Sequence, residues 1–384
     1  MFSCWYGHSE ELSVLHQLPL VKDARCDVVV VGAGMAGMSV AYFLAREGRS
    51  VIVLDDGPVG GGMTGLSSGH LSYALEDGYV RLEALYGLQG ARLAAQAHGA
   101  AVAIIEDVTV RESIDCDFLR VDGYLFNPPG QSPANLEAER AAAERAGVEV
   151  EWEERAPLQS FETGHCLRFP DQAQFHPLRY LAGLTRAFLA MGGKVHTQSY
   201  VKRAVAGSRP FVETDRGCRV DCSQLVLATN SGLEALTYRS YVMALRIPPG
   251  SVQSALYWDS LPNYHYVRVA TAGATDGSDL LIAGGEDHRL GEAFPQLFSA
   301  LEKWTRRRFP MAGEVDYLWS GQVFRCTGGP AWIGPGQEEN SFVVTGGSGH
   351  GLTHGTVAGQ LIADLVCGRP NPWTYLYAHG ALVA

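Results

Sequence analysis

The sequence predicts an α/β protein of Rossmann type, interleaved with a second, α+β domain built on an antiparallel sheet. Three observations predict it. The segment from Cys26 to Gly37 runs a valine strand into a Gly-x-Gly-x-x-Gly turn and onward into a helix. Near the other end, Phe342 to Thr345 reads as a buried strand, Gly346 to Gly351 as a glycine turn and Leu352 to Val366 as a helix. Both chain ends therefore build one unit. Between them, from Ser254, aromatic and polar residues alternate through Tyr257, Trp258, Tyr264, His265, Tyr266, Val267 and Arg268, the period-two pattern of an antiparallel meander.

The elements follow in order. At the first turn Gly32 permits the tight bend, Gly34 lets the backbone approach a pyrophosphate, and Gly37 lets the helix from about Met35 to Arg46 pack on the strand. Met35 and Ala36 open that helix, whose positive amino end faces the phosphates of a dinucleotide. A second apolar run, Ser50 to Leu54, ends in Asp55 and Asp56, about 20 residues on, where such a site wants a carboxylate for the ribose hydroxyls. Asp55 is the expected ribose ligand, with Asp56 beside it. An NADP site would favour an arginine there. A glycine-rich loop, Gly57 to Gly65, leads to an alanine-rich helical region from about Tyr79 to Asp107. A strand over Tyr124 to Phe126 stops at Asn127-Pro128-Pro129-Gly130, and helices follow over about Asn135 to Ala146 and His176 to Met191, the latter with Pro177 in its first turn. One strand is expected to hold Val195 and Val201, another Leu225 to Ala228, and Thr271 to Ser278 is a glycine-rich turn.

No repeat or low-complexity linker separates two halves, so the domains must interleave. The expected division gives 20–97, 157–240 and 318–384 to the nucleotide-binding domain and 98–156 and 241–317 to the other, with 1–19 an amino-terminal extension packed on the fold. A chain of 384 residues suits about two domains with large cores. The net charge of −11 opposes nucleic-acid binding. No stretch reaches the roughly 20 apolar residues of a membrane span, and the start lacks a signal-peptide pattern, so a cytoplasmic location is expected. The eight cysteines show no framework spacing, and neither they nor the twelve histidines form a ligand cluster. No metal is expected.

Taken together, these segments resemble the FAD-dependent D-amino-acid oxidase and glycine oxidase superfamily over nearly the whole chain. GGGMTGLSSGHLSYALED (Gly60 to Asp77), IDCDFLRVDGYLF (Ile114 to Phe126), NYHYVRV (Asn263 to Val269), GGEDHRLG (Gly284 to Gly291) and GRPNPWTYLY (Gly368 to Tyr377) are similar to a branch often fused to a Rieske domain. The Cys-x-His and Cys-x-x-His pairs of a Rieske centre do not occur here. The resemblance implies FAD as cofactor. It places Gly62, Met63 and Thr64 along the pyrophosphate, Val201 beside adenine, and Thr229 with Gly232 in a second pyrophosphate-side turn. It also runs Gly346 to Thr353 beside the isoalloxazine, with contacts from Gly347, Gly349, His350, Gly351, Leu352 and Thr353. A glycine turn opening a helix suits the negative charge of reduced flavin.

The activity so implied is oxidation of a C–N bond of a small amine or amino acid by hydride transfer to flavin, with dioxygen or a separate partner acceptor taking the electrons. Flavin does the redox step, so the protein need only hold the amine carbon and favour the neutral amine. This accounts for the lack of a Ser-His-Asp or Cys-His set. Two other outcomes suit the same fold: a specialised biosynthetic dehydrogenase or cyclising oxidase, and a flavin-carrying subunit of an electron-transfer complex. Four pocket residues are carried over. His70 falls over the flavin and His350 at its edge. Tyr266 falls on the substrate-domain floor, where strand alternation puts it on the face of Tyr264 and Arg268 with His265 opposite. Arg325 precedes the turn where Gly328-Gly329 replaces the usual Asp-Gly, and its planar guanidinium suits a substrate carboxylate.

Overall fold

The computed structural model describes residues 3–6, 10–128, 130–230, 236–261, 264–270, 277–290, 296–326 and 330–378. Val28–Val31 and Val51–Leu54 are buried at every position, because both faces of their sheet are covered. Val28, Val30, Val51 and Val53 face helices and pack with Met38, Tyr42 and Leu361. Val29, Val31, Ile52 and Leu54 face the other way, onto Val212 and Val220 of a small four-stranded sheet. The central sheet has six strands, in the order Trp332–Pro335, Ser341–Thr345, Gln224–Leu227, Val28–Val31, Val51–Leu54 and Lys194–His196. All neighbours are parallel except the first pair. Strands from both chain ends thus share one sheet.

Helices Met35–Arg46 and Gly351–Val366 cover that sheet and meet through small residues. A Cβ on Gly355 would stand 2.8 Å from the Ala36 amide nitrogen, and one on Gly359 would stand 2.8 Å from Phe43 and Ser39. The second large layer is a nine-stranded sheet running from Val315–Arg325 through Leu236–Ile247, Asp279–Arg289, His265–Ala270, Leu256–Asp259, Leu119–Phe126 and Cys166–Gln174 to His70–Leu71, with Glu151–Glu153 beside Cys166–Gln174. Its pairings are antiparallel except Leu256–Asp259 beside Leu119–Phe126. One face packs Leu245, Val267, Leu281 and Ala283 on Leu301 and Phe309. The amino-terminal segment lies against the glycine-rich loop, where Trp5 is buried and its indole donates to the Ser67 carbonyl at 2.7 Å. No helix among the described residues is long and apolar enough to cross a membrane.

Several sequence expectations are corrected. Val195 and Val201 lie on different strands: Lys194–His196 belongs to the six-stranded sheet and Val201–Val205 to the four-stranded one. Between them the chain turns from one layer to the next through Gln198 at φ +50°. The alanine-rich helix runs on to Arg111 with a kink at Gly87, and the strand expected at Tyr124 begins at Leu119. Residues 271–276 of the glycine-rich turn lie outside the described residues. Three expected domain boundaries fall inside elements: 97/98 in helix Tyr79–Arg111, 240/241 in strand Leu236–Ile247 and 317/318 in strand Val315–Arg325. A boundary belongs where few contacts cross, and we propose instead that the domains divide by sheet.

Candidate active site

A cavity of about 890 Å³ lies between the six-stranded and nine-stranded sheets and is lined by both. Strand Val28–Val31 ends at Gly32, whose φ is +105° and where a Cβ would stand 2.5 Å from the Ala228 carbonyl oxygen. Gly34, Met35 and Ala36 then line the cavity with Gly32. Gly37 does not; a Cβ there would strike the Gly32 carbonyl, so its part is to close the turn on the helix. Asp55, at the end of the next strand, accepts from the Ala33 amide at 2.5 Å and the Gly57 amide at 2.8 Å. Burial raises its carboxyl to about 6 against those two amides, and the Asp56 charge adds to the rise. Each carboxylate oxygen has a second lone pair, so a ribose hydroxyl can still donate to it.

Asp56, Gly62, Met63, Thr64, Val201 and Thr229 also line the cavity, while Gly232 lies outside the described residues. The Thr64 hydroxyl accepts from the Met35 amide at 2.9 Å, so that donor of the helix end is engaged by the protein itself. Added Cβ atoms at Gly62 and Gly351 would meet nothing within 4 Å. Bare backbone therefore forms those walls, as close approach of a dinucleotide requires.

Gly347, Gly349, His350, Gly351 and Leu352 line the cavity beyond, joined by His354. Thr353 does not. Its hydroxyl turns inward to His98 Nδ1 at 2.8 Å, His98 Nε2 meets His354 Nε2 at 3.1 Å, and His354 Nδ1 meets the Gly347 carbonyl at 2.9 Å. A carbonyl only accepts, so neutral His354 carries its proton on Nδ1 and receives one bond from His98. Burial and then the neighbouring histidines lower both imidazoles, which keeps the chain neutral. His350 Nε2 accepts from the Glu76 amide at 2.8 Å, and burial followed by the Arg325 charge lowers His350 to about 4.

Arg325 is held by acids of the protein itself. Its guanidinium pairs with Glu76 through Nη2 and with Asp77 through Nη1 at 3.4 Å, lies over the Tyr238 ring, and is absent from the described cavity lining. The guanidinium that the sequence reading assigns to a substrate carboxylate thus already meets two acids of the protein itself, while its Nε is buried without a partner. Glu76, which sequence reasoning passed over, lines the cavity and lies against Gly349, where a Cβ would collide with its Oε2. Burial raises it to about 7 even against the Arg325 charge. The available signal was the acid pair closing the Gly60–Asp77 motif.

His70 and Tyr266 come together as neighbours, their rings edge to face at 5.2 Å, and both line the cavity. His70 Nδ1 pairs with the Ser68 hydroxyl at 2.8 Å, and burial, with Arg268 and His350 nearby, holds the ring neutral. Tyr264 lies just before the strand, at φ +35°, and lines the cavity beside Tyr266. Arg268 turns under Gly69, donating to its carbonyl at 3.1 Å and stacking on Trp5. His265 faces away, as alternation requires, towards Asp259 and Glu286.

Known proteins are similar to this chain in sequence or in fold. The Bacillus subtilis (strain 168) protein YhfW, named for a Rieske 2Fe-2S iron–sulfur centre, is 26% identical over 371 residues, covering 93% of this chain and 72% of its own. Gamma-glutamylputrescine oxidoreductase of Escherichia coli (strain K12) is 26% identical over 385 residues, covering 91% of this chain and 85% of its own. The crystal structure of glycine oxidase from Geobacillus kaustophilus superposes with a TM-score of 0.76 at 19% identity, over 91% of this chain and 96% of that one. The profile of the DAO family, described as FAD dependent oxidoreductase, matches residues 27–365, a span that holds both glycine turns, Asp55 and Glu76, and the chain belongs to this family of FAD-dependent oxidoreductases.

Proposed function

We propose that the protein oxidises a C–N bond of a small amine or amino acid, with dioxygen or a separate acceptor as the final electron sink. The observation carrying this reading is the continuity of one cavity from Asp55 and the first glycine turn, past Gly347 to Leu352, to an end walled by Tyr264, Tyr266 and Glu76. Gly32, Gly34, Ala36, Asp55, Gly62, Met63, Thr64, Val201 and Thr229 would hold FAD, which supplies a hydride acceptor when bound. The names of the Escherichia coli relative and of the glycine oxidase structure support the amine and amino-acid class.

An ammonium group must lose a proton before its carbon can release hydride. The Glu76 carboxylate, brought to about 7, takes that proton near neutral pH. His350 fixes Glu76 through its backbone amide, and Arg325 steadies the charge. The carbon then gives up hydride and becomes an iminium, which water converts to a carbonyl compound and ammonia or a smaller amine. Tyr264 and Tyr266 wall off solvent while the amine is held.

The test is an anaerobic screen of amines, amino acids and aminophosphonates against the yellow holoprotein. Bleaching by one class, restored by air, establishes an oxidase, and bleaching that air does not reverse establishes a dehydrogenase with its own acceptor. A folded protein that binds NAD in place of FAD, or flavin bleached by none of the three classes, overturns the reading.

A further inference from the structure

The Gly284–Asp287 stretch is built around the substrate end of the cavity in a way that the family resemblance left unassigned. A Cβ on Gly284 would stand 2.1 Å from Tyr266 Cζ, so its absence lets that ring lie across the strand. Gly285, at φ +141°, brings the strand against the Tyr264 backbone, where a Cβ would be 2.2 Å from the carbonyl oxygen. The next two residues form a bulge. Pairing joins Arg239 to His288 and Tyr241 to Gly285, so Glu286 and Asp287 together oppose only Ser240.

Bulges re-aim side chains. Here Glu286, at φ +57°, turns to His265 Nε2 at 3.2 Å, while His265 Nδ1 meets Asp259 at 3.1 Å and its ring stacks on Trp304 at 4.4 Å. That clamp holds an unfavourable backbone in place. Asp287 consequently faces the cavity, with the Ser240 hydroxyl beside its carboxylate. Its Oδ1 is buried and without a hydrogen-bond partner. A carboxylate only accepts, so the missing partner is a donor.

The charge around Asp287 gives that donor its sign. Among the described lining residues this end carries Glu76 and Asp287 and no Lys or Arg. The sequence of the undescribed segments contains neither. Arg325 is engaged by Glu76 and Asp77, and Arg268 by Gly69 and Trp5. Tyr264 and Tyr266 add ring faces that attract a cation. Among the described lining residues a substrate carboxylate would meet two acids and no cation, the Arg325 charge that reaches Asp287 coming from behind the wall and already shared with Glu76 and Asp77.

We propose that this end of the cavity selects a substrate bearing a second cationic group, of the diamine class, with Asp287 and the two tyrosines holding the ammonium that is not oxidised. This rests on the amine-oxidising reading above. One ammonium meets Glu76 beside the terminal glycine turn, and the other occupies the bulge.

The experiment separates the two claims. Isothermal titration of the FAD-loaded protein, with its flavin reduced beforehand by dithionite under anaerobic conditions so that no amine is oxidised, uses butane-1,4-diamine, butylamine and 4-aminobutanoate, whose ammonium groups can donate to a carboxylate. The dication should bind at least ten-fold more tightly than the monocation, and the zwitterion most weakly. Asp287→Asn should remove most of that ten-fold preference, Asp287→Glu should retain it, and Glu302→Gln, on an exposed helix face, should leave it unchanged. Flavin content and circular dichroism confirm that each variant is folded. Anaerobic bleaching is then compared for butane-1,4-diamine, butylamine and 4-aminobutanoate. Equal binding of dication and monocation, or an unchanged preference in Asp287→Asn, overturns the cation site even if amines bleach the flavin. Tight, Asp287-dependent dication binding without bleaching by any amine upholds the cation site and overturns the oxidation reading alone.

Discussion

Glu76 joins burial, an ion pair and a place on the cavity wall in a single carboxylate. Its raised value of about 7 has two consequences of fixed sign. The ionised base accumulates as pH rises through 7, so kcat/KM should rise through that point, and Glu76→Gln should flatten this limb while lowering the plateau by about 10²–10⁴-fold. The folded state also holds this proton more tightly than the unfolded chain, so the contribution to stability is present at low pH and is lost as pH rises through 7. Melting temperatures of the wild type and Glu76→Gln across pH 5–8 should diverge accordingly; parallel curves would remove Glu76 from the titration. Arg325→Ala should reduce turnover equally for substrates with and without a carboxylate, because its partners are Glu76 and Asp77. A loss confined to the carboxylate-bearing substrate would restore the anchoring role expected from sequence. Nothing in local spacing links residue 325 to residues 76 and 77, which is why that pairing was hidden. Asp55 was legible because its distance from the glycine turn is set by one strand–helix–strand unit. Its two amide contacts were not, since they depend on how the loop folds back.

Helix Gly351–Val366 reaches the cavity only because it can lie close on helix Met35–Arg46. At Gly355 a Cβ would meet backbone at the Ala36 amide nitrogen and at the Met35 carbonyl carbon, 2.8 and 3.1 Å away, so Gly355→Ala should cost about 1–3 kcal/mol by overpacking. It should also weaken FAD, since the displaced atoms include the Ala36 amide at the phosphate-facing helix end. Gly99→Ala is the matched control: its helical site is open, and alanine there should add roughly 0.5–1 kcal/mol. Differential scanning calorimetry and FAD titration of the two variants check both signs. Elements of this kind were readable because their signals are local: a four-residue apolar run buried on both faces, and glycine spacing at two helix starts. The strand expected to hold Val195 and Val201 failed because the chain changes layer between them, which hydrophobicity alone does not mark. The bulge at Glu286 was equally hidden, as it is defined by the partner strand and not by its own sequence.

Across the whole molecule, the cavity is the seam between two sheets that are each built from distant parts of the chain. Strands from residues 28–31, 224–227 and 341–345 lie side by side in one sheet, and the other runs from residue 70 to residue 325. The shared sheet of the two chain ends was legible from their matching strand–glycine–helix patterns. The expected domain boundaries had no such signal, because two of them fall in strands of the nine-stranded sheet and a third inside helix Tyr79–Arg111, and a continuous element leaves no composition shift. Residues from both sheets face the seam, so FAD filling it should stabilise them together. A ligand that binds only the folded state adds RT ln(1 + [L]/Kd), about 2.7 kcal/mol at a hundred-fold excess over Kd. Protein stripped of flavin should therefore melt at a lower temperature, and added FAD should raise that temperature steadily with the logarithm of its concentration. Asp55→Asn should displace this dependence to higher FAD concentration by the equivalent of about 1.5–3 kcal/mol, the worth of a hydrogen bond to a charged group. A melting temperature indifferent to FAD in both proteins would mean that the seam between the sheets is not where the cofactor binds.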